Sequence, residues 1–101
     1  MTTAGKLSTE ALLILTSLAN GPKHGYAIQH DVAHVSGRRL GPGSLYGSIA
    51  RLEAANYIEA LKADGPRRPY RLTSSGATAL TAEVDALRKV TTTAARRLAA
   101  R

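Results

Sequence analysis

The stretch PGSLYGSIARLEAANYIEALKADGPRRPYRLT, residues 42–73, decides the fold. Pro42 suits the first position of a helix, where its missing N–H costs nothing. Leu45, Ile49 and Leu52 then recur at helical spacing as far as about Ala55. From Tyr57 the period changes. Tyr57–Lys62 and Pro69–Thr73 read as two short strands, and Asp64-Gly65-Pro66-Arg67-Arg68 supplies the turn formers of a hairpin loop longer than two residues. Proline cannot donate to a ladder, so Pro69 predicts an edge position for its strand.

Upstream lie two shorter helices. Ser8 is a fitting N-cap and Glu10 suits the positive end of a helix that runs to Asn20-Gly21-Pro22. Ala11, Leu12, Leu13, Ile14, Leu15 and Leu18 are more apolar residues than one amphipathic stripe requires, which predicts cover on a second side. His24-Gly25-Tyr26 opens the next helix, with Ile28, Val32 and Val35 as its buried stripe and Ser36-Gly37 as its end. Arg38-Arg39-Leu40-Gly41 is a short basic loop. Downstream, Thr73 or Ser74 caps a fourth helix whose Leu80, Val84, Leu87, Ala94 and Leu98 keep helical spacing. At 1.5 Å per residue this helix reaches roughly 40 Å, too long for so small a body to cover. Three helices, a hairpin and a long helix predict a mainly α fold with a small β-hairpin. That is a winged helix-turn-helix over residues 1–73, followed by a C-terminal dimerisation helix over 74–101.

Composition narrows the function. A chain of 101 residues is one domain. It has no Cys, Phe or Trp, so disulfides and thiolate metal sites are excluded and the core is thin. A second copy of the chain is the natural staple. No apolar run nears the roughly 20 residues of a membrane span. Met1–Lys6 leads into structure without a signal-peptide segment, and the expected location is the cytoplasm. Fourteen Lys and Arg against seven Asp and Glu give a net charge of +7. Such an excess suits a polyanion, although a solvated basic face has the same composition.

The third helix looks like a reader of DNA. Opposite its apolar stripe it carries Gly43, Gly47, Ala50 and Ala54, flanked by Ser44, Ser48, Arg51 and Tyr46. Small residues let a helix axis approach the floor of a major groove, and the flanking side chains can reach bases or phosphates. Arg38 and Arg39 precede this helix, while Arg67 and Arg68 sit at the hairpin tip, placed to grip phosphates or enter a minor groove. Tyr26 reads as a core residue and Tyr46 as a backbone contact. Leu12, Leu15, Leu80, Val84 and Leu87 are the expected dimer interface.

At this point the chain resembles the PadR family of transcriptional regulators. The resemblance rests on residues 18–28 (LANGPKHGYAI), on Gly43-Ser44-Leu45-Tyr46 with Ile49, Arg51-Leu52-Glu53 and Ile58, and on Pro69-Tyr70-Arg71-Leu72-Thr73 with Gly76. The single short C-terminal helix is similar to the compact subgroup. The resemblance implies a homodimer built through the first and last helices, binding a two-fold operator and usually repressing. The chain departs from the family pattern at Gly47, where Pro is common, and at Asn56, where Gly is common. It also lacks the Trp with which some compact members stack planar drugs.

No nucleophile motif, phosphate-binding glycine fingerprint or paired acid–base set points to an enzyme. The competing reading is a winged-helix protein-interaction module, which has no need of Arg38, Arg39, Arg51, Arg67 and Arg68 on one side. No cofactor is required. A small hydrophobic effector in a cleft between subunits is one route to regulation, a divalent metal at His30 and His34, spaced i, i+4, is the rival route, and with no direct effector the repressor is controlled by its own abundance.

Overall fold

A computed structural model describes residues 7–101; the expectation for Met1–Lys6 lies outside that range. The chain forms α1 (Thr9–Leu18), β1 (Lys23–His24), α2 (Gly25–Ser36), α3 (Pro42–Ala54), β2 (Ile58–Ala60), β3 (Pro69–Leu72) and α4 (Ser74–Ala99). Each helix begins where its sequence asks. The Ser8 hydroxyl accepts from the Ala11 N–H at 3.1 Å, and Thr73 caps α4 by accepting from the Gly76 N–H at 3.0 Å. A side-chain acceptor there satisfies an N–H with no partner inside the helix. Gly37 ends α2 in the left-handed conformation, with its N–H donating to the Ala33 carbonyl. Asn56 takes the same region after α3 at φ 65°, so the polar residue serves where glycine would be the default.

The core is made by one face of each element. Ile14, Leu15 and Leu18 of α1 meet Ile28 and Val32 of α2, Leu45, Ile49 and Leu52 of α3, and Ile58 of β2. Leu40 completes it: this residue of the basic loop is buried, and its carbonyl accepts from Gln29 Nε2 at 2.6 Å. The start of α4 is locked on through Gly76. A Cβ at Gly76 would run into the Tyr57 carbonyl oxygen and stand 2.9 Å from Leu72 Cδ1, so only glycine permits that approach.

Four expectations change. The sheet has three strands in the order β1-β3-β2, all antiparallel, so β3 is central and Pro69 is not on an edge strand. Proline is tolerated because it is the first residue of β3 and its carbonyl still accepts from the Leu61 N–H at 2.8 Å. The two-residue β1 is too short to carry a periodic signal. Val35 is exposed, because the core along α2 ends at Val32. Tyr26 is 64% exposed and not in the core. Leu15 is 0% exposed within a single chain, so this expected interface residue has no surface to offer a second copy. Leu12, Leu80 and Val84 are half-buried and Leu87 is exposed, leaving those four available.

Candidate nucleic-acid interface

The site grows from the junction of α2, α3 and the hairpin. His24 occupies the N-cap of α2, where its Nδ1 accepts from the Ala27 N–H at 3.3 Å. That bond makes Nε2 the nitrogen that carries the proton in the neutral ring. The ring stacks on Tyr26 with centroids 6.5 Å apart, and Tyr26 in turn meets His30 at 5.6 Å. An aromatic row therefore runs along the exposed side of α2.

The hairpin brings the arginines to the same place. Asp64 and Arg67 pair backbone to backbone in both directions, at 2.8 and 3.1 Å, closing the turn over Gly65-Pro66. Gly65 has φ 62°, which a tight hairpin turn needs at its first central residue. This turn sets Arg67 and Arg68 beside the start of α2. Together His24, Tyr26, Tyr46, Arg67, Arg68 and Tyr70 line a cleft of about 210 Å³. Among the described residues, no carboxylate lines it. The Tyr70 phenol is held above its ordinary value by burial first, then by the Glu53 carboxylate, with Arg68 acting the other way and Tyr46 adding a small push upward. It is a hydrogen-bond donor across the physiological range.

Along α3 the expected reading face divides. Gly43, Ser44, Tyr46, Ala50 and Arg51 are exposed, as predicted. Ser48 is not: it is 3% exposed, and its hydroxyl accepts from Arg51 Nη2 at 3.1 Å. Its position, one residue before Ile49, turns it toward the protein, so its part is to hold Arg51. Gly47 is half-buried beneath the same side chain, and a Cβ there would lie 3.5 Å from Arg51 Nη1. Arg39 is exposed. Arg38 is drawn away to Glu10 of α1 at 3.7 Å and does not line the cleft. Arg71 is likewise committed, pairing with Glu59 across β2 and β3.

Gly25 escaped the sequence reading as a site residue. It is helical and has no positive φ, so nothing in its backbone conformation marks it. A Cβ at this position would nevertheless stand 2.8 Å from both Cε1 and Cζ of Tyr46 and closer still to the hydroxyl. Only contact between two helices distant in sequence reveals the constraint. His30 and His34 border a neighbouring groove with Asp31, but among the described residues no group of three or more His, Asp or Glu is placed to hold a metal ion.

Residues 14–82 match the family model of the transcriptional regulator PadR-like family, about two thirds of the chain. The chain belongs to this PadR-like family. A PadR family transcription regulator from Clostridium difficile superposes with a TM-score of 0.78 at 22% identity, over 90% of this chain and 99% of that one. RosR of H. salinarum gives 0.72 at 24%, over 95% and 97%. These likenesses establish the winged-helix fold of PadR regulators for this chain. In sequence, an uncharacterised 37.1 kDa protein in transposon TN4556 of Streptomyces fradiae is 47% identical over 79 residues. Those residues are 78% of this chain but only 23% of that protein. This chain thus spans less than a quarter of that relative's length. No helix among the described residues is long and apolar enough to cross a membrane.

Proposed function

We propose that this PadR-family regulator is a sequence-specific DNA-binding repressor that grips a two-fold operator as a homodimer. Its α3 lies in the major groove, with the β2–β3 hairpin on the adjoining phosphates or minor groove. The observation that carries this reading is the cleft where Tyr46 of α3, His24 at the N-cap of α2 and Arg67 and Arg68 of the hairpin converge without a carboxylate. Hydrogen-bond donors and fixed cations in one concavity suit a phosphate backbone, while the exposed small residues of α3 admit it to base edges. A protein-interaction module would have no use for that convergence. No catalytic role is assigned to any residue.

Dimerisation rests on α4. Beyond Val84 almost every residue of the helix is exposed, including Val90 at 64% and Leu98 at 62%. A second copy covers this stripe and sets two recognition helices one helical turn, about 10 bp, or a multiple of that apart. A small hydrophobic effector bound between subunits is one route to regulation, control by the protein's own abundance with no effector is another, and no cofactor is needed for binding. The metal route through His30 and His34 is the weaker one, since two imidazoles fall short of the ligands a zinc site uses. Titrating Zn²⁺ and planar aromatics against the operator complex separates the two: release by an aromatic that survives His30→Ala and His34→Ala selects the cleft.

Selection from a random duplex pool tests the central reading. It should converge on a near-palindrome, and Arg51→Ala should lower discrimination between that duplex and a scrambled one. A pool that stays random after repeated rounds would overturn it.

A further inference from the structure

Gly25 stands where a helix gains nothing from glycine. Its backbone is helical, unlike that of Gly21, Gly37 and Gly65, which have positive φ, and alanine is the better helix former. The space its Cβ would fill is taken by the ring of Tyr46, whose Cε1 and Cζ would be 2.8 Å away. The atoms in the way are the hydroxyl end of the Tyr46 ring, and because the ring is rigid a Cβ here would make the whole side chain turn aside. Tyr46 is half exposed, which leaves it room to do so without opening the core.

That ring joins three elements. It projects from α3, rests on the first residue of α2, and lines the cleft with Arg67, Arg68 and Tyr70 of the hairpin and β3. We propose that Gly25 is a positioning residue for DNA recognition: by leaving its backbone bare, it seats Tyr46 and so fixes the hydroxyl and the reading helix relative to the wing. The inference rests on the DNA-binding reading above and adds a residue that need not touch DNA. With the seat lost, Tyr46 swings out, and helix and wing no longer engage one site together. Specific binding suffers more than non-specific binding, because the latter rests on the arginines, whose charges are unchanged.

A double-mutant cycle between Gly25 and Tyr46, read on selected and scrambled duplexes with melting followed in parallel, tests this. Gly25→Ala should weaken selected-duplex binding about tenfold, leave scrambled-duplex binding within about twofold, and keep the parent's cooperative melting. In a Tyr46→Ala background, where the ring is gone, adding Gly25→Ala should cost no further affinity. Full specificity in Gly25→Ala would overturn the proposal. Losses that add in the double variant would also overturn it, since the effect would then arise in α2 alone. Equal loss on both duplexes would mark general damage to the fold and contradict it too. A parent that binds the selected duplex no better than the scrambled one would remove the DNA-binding reading itself, an outcome distinct from these three.

Discussion

The two halves of the molecule bury their apolar residues in opposite ways. From α1 to the start of α4, each stripe has a partner in the same chain: Ile14, Ile28, Leu45, Ile49 and Ile58 are all fully buried. From Leu87 onward, α4 keeps helical periodicity with no cover, and Leu87, Val90 and Leu98 stand in solvent. The same signal, apolar residues three and four apart, thus has two meanings. In the first half it describes a core. In the second it describes an uncovered surface, which in the proposed homodimer becomes a core worth roughly 25 cal/mol per Å² of apolar area removed from water.

Substitutions should break the two halves differently. The largest effect belongs to the closed half. Leu45→Ala should cost about 2–5 kcal/mol of stability, because the cavity forms among side chains that cannot collapse fully. Chemical denaturation would show it as a lower midpoint, and an unchanged midpoint would mean the winged core is not as packed as described. Leu98→Asp makes the complementary break. Sedimentation at micromolar concentration should move from a dimer toward a 10.6 kDa species, while circular dichroism keeps the parent's helical signal. A variant that stays dimeric would place the interface elsewhere.

Arg51→Ala should have an intermediate effect, about 1–3 kcal/mol of lost discrimination if the guanidinium reads a base edge. Ser48→Ala should produce a smaller loss in the same direction, since Ser48 only steadies Arg51. An Arg51→Ala variant with full discrimination would confine base reading to other residues. The smallest effect is at Tyr70. Burial raises its phenol above the ordinary 10.0, so folding favours the neutral form. That stability is complete below the ordinary value and is lost as pH rises through the raised one. Absorbance titration should show Tyr70 ionising above the ordinary phenol value, and Glu53→Gln should bring it partly back.

How much of this could be read beforehand follows the same division. Helix ends were legible because capping is local: Ser8, Thr73 and Gly37 lie within a few residues of the groups they satisfy. The periodic positions of α3 were legible too. What escaped depends on contacts across the chain. A two-residue β1 has no period, and it makes β3 central despite Pro69. Leu15 looked like surplus on a doubly apolar helix, yet its own chain surrounds it. Ser48 sits at the margin between the two faces of α3, where 100° steps do not say which side wins. Arg38 and Arg67 are equally basic in sequence, but Glu10 engages the one while the turn at Gly65-Pro66 presents the other.

In the proposed complex the hairpin arginines and the exposed face of α3 form one DNA-binding surface. The most direct measurement is the affinity for the selected duplex as a function of salt, for the parent and for the Arg67→Ala, Arg68→Ala double variant. Each phosphate contact contributes about 0.9 to the slope of log K against log salt. A dimer that loses two contacts per protomer should therefore show a slope shallower by about 3–4, with weaker binding to selected and scrambled duplexes alike. The same slope and the same affinity in both proteins would contradict the account.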